Sequence, residues 1–255
     1  MLLTDTHTHQ YYEKDLQKRA EQMQRCFDAG VERLFLPNVD VASIAMIDEM
    51  VSAYPENCFA MAGLHPCDVK EDYHESLQQI YASISNRKIY AIGEIGIDLY
   101  WDKTTLGIQQ DAFKQQIAWA KNLDLPFVIH CREAFDEVFE VLEETHHERM
   151  RGIFHCFTGN VEQAKRAIDL GFYLGIGGVV TYKKAGLDAV LAEIPLEHLV
   201  LETDSPYLAP VPFRGKSNES SYLVHVAQKV ADIYVLDIEE VADVTTENSR
   251  KIFGV

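Results

Sequence analysis

His7 and His9 stand two residues apart in Asp5-Thr6-His7-Thr8-His9, near the start of the chain. In an extended segment, residues two apart point to one side, so both imidazoles can share a cation while Thr6 and Thr8 face away. His130 closes the apolar run Pro126-Phe127-Val128-Ile129, and His155 closes Gly152-Ile153-Phe154. Taken singly, each is more often a surface or hydrogen-bonded core histidine than a ligand. Glu94 sits in Ile92-Gly93-Glu94-Ile95-Gly96-Ile97-Asp98, where Gly93 and Gly96 leave room for close backbone approach. A carboxylate buried in such a string is costly unless paired or metal-bound, which leaves an ion pair with Arg or Lys, or a bridge between two cations. Asp204 ends Leu199-Val200-Leu201-Glu202-Thr203-Asp204. Alternation puts Glu202 and Asp204 on one side, so one can meet metal near the mouth while the other sits deeper as an acceptor for a ligand imidazole. The metal is assigned to Asp204, against the plainer role of a turn-forming Asp before Ser205-Pro206. Together these residues predict two divalent cations, zinc, magnesium or manganese, held by nitrogen and carboxylate donors with positions left for water. Cys131 and Cys156 each follow one of the histidines, and alternation predicts that their sulfurs point away from the pocket.

Such residues act together only if the chain carries them to one place. Apolar, β-branched and aromatic stretches recur at 2–8, 33–38, 58–64, 89–97, 126–131, 152–157, 172–177 and 198–203, giving eight candidate strands. Between them the spacing is helical: Leu16, Ala20, Met23 and Phe27 share a face before Gly30, as do Phe113, Ile117 and Ala120, and again Val138, Phe139 and Leu142. Strict alternation of strand and helix predicts an α/β fold with a parallel sheet buried on both sides. Eight such units in a chain of 255 residues predict a single (β/α)₈ TIM barrel, with a doubly wound open sheet as the rival. In a barrel the loops 65–73, 98–107 and 205–217 share the C-terminal face with the histidines.

The net charge of −17 repels polyanions and anionic membranes at long range and excludes broad nucleic-acid coating, yet cations bound in a cleft can invert the potential locally. No run approaches the length of a membrane span, and the N-terminus lacks a basic region followed by an apolar stretch, so a cytoplasmic protein is expected. Five cysteines without a CxxC pair suit a reducing compartment. No membrane partner is expected, and no protein partner is inferred.

Six strings now stand in order: the His7-Thr8-His9 motif, Gly63-Leu64-His65-Pro66, Gly93-Glu94-Ile95-Gly96-Ile97-Asp98, Ile129-His130-Cys131-Arg132, His155-Cys156-Phe157-Thr158-Gly159 and Glu202-Thr203-Asp204-Ser205-Pro206-Tyr207-Leu208. In this combination the chain resembles the TatD family of metal-dependent deoxyribonucleases, in the amidohydrolase superfamily, over essentially its whole length. The resemblance implies one barrel domain over residues 1–255. It also implies that His7, His9, Glu94 and Asp204 hold one metal while Glu94, His130 and His155 hold the second. The family's last loop is typified by a proline-rich string ending in RGKxNEP. Arg214, Gly215, Lys216, Asn218 and Glu219 fit it; Phe213 stands where a histidine is common and Ser220 where a proline is common.

The function expected is hydrolysis by a metal-activated hydroxide, with Asp204 moving the proton and Glu94 bridging the cations. DNA or oligonucleotide ends are the expected substrate, cut exonucleolytically. His65, Arg132, Arg214 and Lys216 are candidates for phosphate contacts, and Trp101, Tyr207 and Phe213 for stacking on a base. Two rivals stand beside the deoxyribonuclease: a hydrolase of small C–N or C–O substrates on the same scaffold, and a non-catalytic metal-binding protein.

Overall fold

The computed structural model describes residues 1–255. Eight strands run in chain order: β1 (Leu3–Asp5), β2 (Val31–Leu36), β3 (Cys58–Ala62), β4 (Ala91–Asp98), β5 (Phe127–Arg132), β6 (Gly152–Phe154), β7 (Phe172–Ile176) and β8 (Leu199–Leu201). Each pairs in parallel with the next. Helices α1 (Leu16–Asp28), α2 (Val41–Ala53), α3 (Tyr73–Ile84), α4 (Leu106–Leu123), α5 (Phe135–Glu144), α6 (Val161–Asp169) and α7 (Leu187–Leu191) fill the crossovers, and α8 (Leu223–Tyr234) and α9 (Ile238–Phe253) complete the chain. The ring closes where Thr6 N donates to Leu201 O at 3.0 Å and Asp204 N to His7 O at 2.9 Å. Sequential strand order with that closure is the TIM barrel rather than the doubly wound sheet. No helix is long and apolar enough to cross a membrane.

Strands form where the β-branched and aromatic runs predict them, but several end earlier than the apolar pattern does. β1 stops at Asp5, β3 at Ala62, β6 at Phe154 and β8 at Leu201. His7, His9, His155, Glu202 and Asp204 therefore stand on the turns just past strand ends, not in strands. The faces of α4 and α5 are buried as expected, Phe113, Ile117, Ala120, Val138, Phe139 and Leu142 being covered. In α1 the buried face is Arg19, Met23 and Cys26, whereas Leu16 and Ala20 are exposed. Arg19 displaces the expected apolar stripe because its guanidinium pairs with Glu49 of α2. Gly30, at φ +80°, ends that helix in the left-handed region.

The barrel interior is divided along its axis. Phe35, Phe59, Met61, Val128, Ile153 and Val200 fill one end, and Phe253 from α9 stacks on Phe35 with ring centroids 3.7 Å apart. The other end is polar and carries the histidines. Two buried glutamines of α4 hold loops of that end from behind: Gln116 bonds both Leu64 N (2.7 Å) and Leu64 O (3.2 Å), next to His65, and Gln109 bonds Asp98 N (2.8 Å) and Asp98 O (3.1 Å). Each amide satisfies a donor and an acceptor that a strand end leaves open.

Gly96 faces His130 across β4 and β5 at φ +142°, and a Cβ there would lie 2.1 Å from the His130 carbonyl oxygen. Gly96→Ala is expected to destabilise the fold by about 2 kcal/mol or more, through that clash and backbone strain. Denaturant unfolding measures it, and an unchanged midpoint would refute the close approach.

Candidate metal centre

Glu94 is 2 % exposed at the polar end of the barrel, and its two oxygens face different partners. Oε2 lies 3.2 Å from His7 Nε2 and 3.7 Å from His9 Nε2. Oε1 lies 2.8 Å from His130 Nδ1, 2.9 Å from His155 Nε2 and 3.3 Å from His65 Nε2. Asp204 joins the first side, its Oδ1 standing 3.4 Å from His9 Nε2 and 3.8 Å from His7 Nε2. The structure thus brings together all six residues singled out as ligands. No Arg or Lys pairs with Glu94, which removes the alternative of a buried ion pair of that kind.

The reason His7 and His9 converge differs from strand alternation, because both lie past the end of β1. Backbone bonds fix them instead: Thr8 N donates to Phe35 O at 3.1 Å and His9 N to Ser205 O at 2.8 Å. Asp204 adopts φ +56°. Beside it, Thr203 donates through N and Oγ1 to the two carboxylate oxygens of Asp5, at 2.9 and 2.6 Å. Burial pushes the Asp5 carboxyl up to about 7 against those bonds.

Three residues behind the histidines set their rings. Tyr11 Oη donates to Pro37 O at 2.7 Å, so its contact of 2.8 Å with His9 Nδ1 is an N–H donated by the imidazole. With that proton on Nδ1, the Nε2 edge of a neutral ring turns its lone pair toward oxygens of Asp204 and Glu94, the orientation a ligated cation requires. Asp98 Oδ2 lies 2.8 Å from His130 Nε2, so both nitrogens of that ring face carboxylates. Glu202 is fully buried, with Oε1 3.4 Å from His155 Nδ1 and accepting from Cys156 N at 2.6 Å. The acceptor placed deeper than Asp204 is therefore Glu202. Asp98 and Tyr11 were not singled out in the sequence; the ring-orienting logic of metal-site histidines is the signal that could have found them.

Burial and partners compete at every group. Burial pushes Glu94 up, but His155, His65, His7 and His130 outweigh it and hold the carboxyl well below its usual range. Asp204 is likewise pushed up by burial and brought below its usual range by His9, His155 and His7. Burial lowers His130 and His155, and their carboxylate neighbours reverse this, raising His130 through Asp98 and Glu94 and His155 well above its usual value through Glu94 and Glu202. His7 is lowered by burial and by His155.

The donor chemistry fits bound cations. Both ring nitrogens of His7 are buried without a hydrogen-bond partner, an arrangement that native interiors avoid. Three overlapping donor sets lie within 4.8 Å: His7, His9 and Glu94; His7, His155 and Asp204; His65, Glu94 and His130. His65 differs from the rest because Cys67 N donates to its Nδ1 at 3.1 Å. Its neutral ring therefore carries the proton on Nε2 and offers an N–H, not a lone pair, to the centre.

A cavity of about 630 Å³ opens over these groups, within the usual size range of ligand sites. His65, Arg132, Trp101 and Tyr207 line it; Arg214, Lys216 and Phe213 do not. Phe213 stacks on Tyr222 with centroids 4.0 Å apart, and Arg214 lies over Tyr182 at 4.3 Å, so the last loop spends these side chains on its own packing. Cys131 and Cys156 line the cavity, contrary to the alternation argument. β6 has ended before Cys156, which sits at φ +45°. Burial pushes the Cys131 thiol up to about 12 and Cys156 well above its usual value, so neither is a ready thiolate.

A family profile described as TatD related DNase matches residues 4–254. Over its full length the chain is 40 % identical to the whole of YabD of Bacillus subtilis, named an uncharacterized metal-dependent hydrolase. It is 31 % identical to the 3'-5' ssDNA/RNA exonuclease TatD of Pectobacterium parmentieri, over 93 % of this chain and 94 % of that protein. The crystal structure of YJJV, a TatD homolog from Escherichia coli, superposes with a TM-score of 0.92 at 29 % identity, covering 99 % of this chain and 98 % of that one.

Burial lowers His130, and its hydrogen bond to Asp98 is the strongest of the contacts that raise it. Asp98→Asn removes a negative charge from the ring, so the His130 pKa of the metal-free protein is expected to fall. Histidine NMR titration follows it; a His130 that titrates unchanged would show that Asp98 does not set the ring's charge.

Proposed function

The chain belongs to the TatD-related DNase family of metal-dependent hydrolases, and from that membership we propose that it removes nucleotides from the ends of single-stranded nucleic acid, DNA foremost, using two divalent cations bridged by Glu94. The observation that carries the proposal is the division of labour at Glu94. One oxygen faces His7 and His9, the other His130 and His155, as a carboxylate shared between two cations would require. Asp204 completes the first set. Zinc, magnesium or manganese fits these donors.

Bound cations would supply Lewis-acid polarisation of the scissile phosphoryl group and a lowered pKa for the attacking water. The chain's own groups do the rest. Asp204 sets a carboxylate oxygen beside His9 and His7 on the cavity wall, where it would take the water's proton and return it to the leaving oxygen. His65 directs its Nε2 proton toward the centre, suited to a non-bridging phosphate oxygen. Arg132 adds a cation at the wall. That wall also carries Asp68, Glu94, Asp98 and Asp204. With one guanidinium against four carboxyl groups, a phosphodiester enters only when cations reverse the local charge, which ties substrate and metal together. Five free cysteines are in keeping with a reducing compartment, which supports the cytoplasm as the proposed location.

Oligonucleotides labelled at the 3′ or the 5′ end, single- or double-stranded, test the proposal in a metal-dependence series. Loss of mononucleotides from one end of the single strands, abolished by chelation and restored by a divalent cation, is expected. Intact substrate under every metal would defeat it. Asp204→Asn is expected to lower kcat by about 10³-fold or more, on the scale of removing a group that acts in the transition state, and near-normal turnover would exclude the proton-transfer role.

A further inference from the structure

The loop after β4 carries aromatic rings that the metal centre does not use. Tyr100 and Trp101 are 48 % and 71 % exposed and meet edge to face with centroids 4.8 Å apart. Arg132, at the end of β5, lies over the Tyr100 ring at 3.8 Å and 5.6 Å from Trp101. The guanidinium lies beside these two rings and makes no ion pair or hydrogen bond within the chain. Seven of the chain's ten arginines make ion pairs with carboxylates, and Arg132 is one of the three that do not. Stacking holds the plane of Arg132 while its N–H edge stays free for an anion from outside.

Trp101 lines the cavity beside Arg132, whereas Tyr100 serves as its backing. An exposed indole in a loop is ordinarily incidental packing. Here the ring stands on the wall of the substrate cavity, next to the only Arg or Lys that lines it. The chain's other tryptophan, Trp119, is half-buried on α4 against Tyr81.

We infer that Trp101 is the base-stacking platform of the site: an unpaired nucleobase lies on the exposed indole face while Arg132, steadied by Tyr100, takes the adjoining phosphate. The inference rests on the nuclease reading and deepens it by naming what selects the substrate. A base within a duplex has both faces covered by its neighbours, so the platform favours single strands. It is tolerant of sequence, because every base offers a π-face.

The test uses the metal-loaded enzyme and two oligonucleotides of equal length, one of thymidine and one carrying abasic residues at the end to be cut. Trp101→Ala is expected to raise KM for the thymidine strand about tenfold, the scale of one lost base–aromatic stack, and to raise that for the abasic strand far less. Trp101→Phe, which keeps a ring, should restore most of the loss. Independently, Trp119→Phe leaves Trp101 as the sole indole of the chain's two. Its fluorescence should then be quenched by thymidine 5′-monophosphate and not by deoxyribose 5-phosphate. Equal KM values for the two strands in the wild type, or quenching that does not depend on the base, would overturn the platform while leaving the nuclease standing. Failure to cut either strand would instead overturn the nuclease reading itself. If Trp101→Ala does not fold, Trp101→Phe and the fluorescence titration still decide.

Discussion

Glu94 brings a negative charge into a space where solvent does not offset it, and the polar end of the barrel is organised around that fact. Five imidazoles approach its two oxygens, at 2.8 to 3.7 Å. Four of them, His155, His65, His7 and His130, outweigh the burial that would otherwise protonate the carboxyl. Backbone precision follows from the same need. Asn38, at the end of β2, accepts from Glu94 N at 2.9 Å and donates its own N–H to Gly93 O at 2.9 Å, pinning the residue on both sides. Its side chain is held in turn by Ser43, which also caps α2 with Asp40. A helix cap, a strand end and the central carboxylate are thus one bonded unit.

Around the imidazoles stands a layer of groups whose work is to choose which nitrogen carries a proton. Tyr11 does so for His9, Asp98 for His130, Glu202 for His155 and the Cys67 amide for His65. The first leaves a lone pair facing the carboxylates and the last leaves an N–H. That difference separates a ring able to ligate a cation from one able to donate to an oxyanion, although both lie within reach of Glu94. Glu202 needs space that only a glycine leaves: a Cβ on Gly175 would lie 2.2 Å from its Oε2.

How much of this was legible in the sequence depends on whether a feature is local. The strands, the barrel and the six donors follow from residue type and spacing, because apolar runs must be buried and a ring of parallel strands gathers their C-terminal ends. The argument from alternation at His7-Thr8-His9 named two side chains that the structure does bring together, but through the wrong geometry, since β1 ends at Asp5 and bonds to Phe35 and Ser205 make the turn. Contacts between distant segments left no local trace. Gln116 at Leu64 and Thr203 at Asp5 are polar residues whose partners lie 52 and 198 positions away. Phe213 and Arg214 show the converse: their types suit nucleic acid, but one stacks on Tyr222 and the other lies over Tyr182, and neither lines the cavity.

The last loop is bound to the barrel rather than presented to the cavity. Glu219 takes two hydrogen bonds from Arg25 of α1, at 2.9 and 2.6 Å. Asn218 donates to the carbonyls of Thr203 and Tyr207, at 2.8 and 2.7 Å. Ser220, where the family commonly has proline, donates its hydroxyl to Thr8 Oγ1 at 3.1 Å, and Thr8 in turn contacts Ser205 Oγ at 2.7 Å. The polar substitution therefore links this loop to the side chain of Thr8, between His7 and His9, a contact that proline cannot make. A loop so engaged steadies Asp204 and the paired histidines, but its basic residues, Arg214 and Lys216, are held off the cavity wall. Positive charge from the protein then reaches the mouth from β5 alone, through Arg132. In a ring of eight strands β4 and β8 lie opposite one another, so Trp101 and Tyr207 enter from opposite sides. Between them the wall carries four carboxyl groups and one guanidinium, so a strongly acidic protein can admit an anion at this point only where bound cations reverse the local charge, and repels it everywhere else.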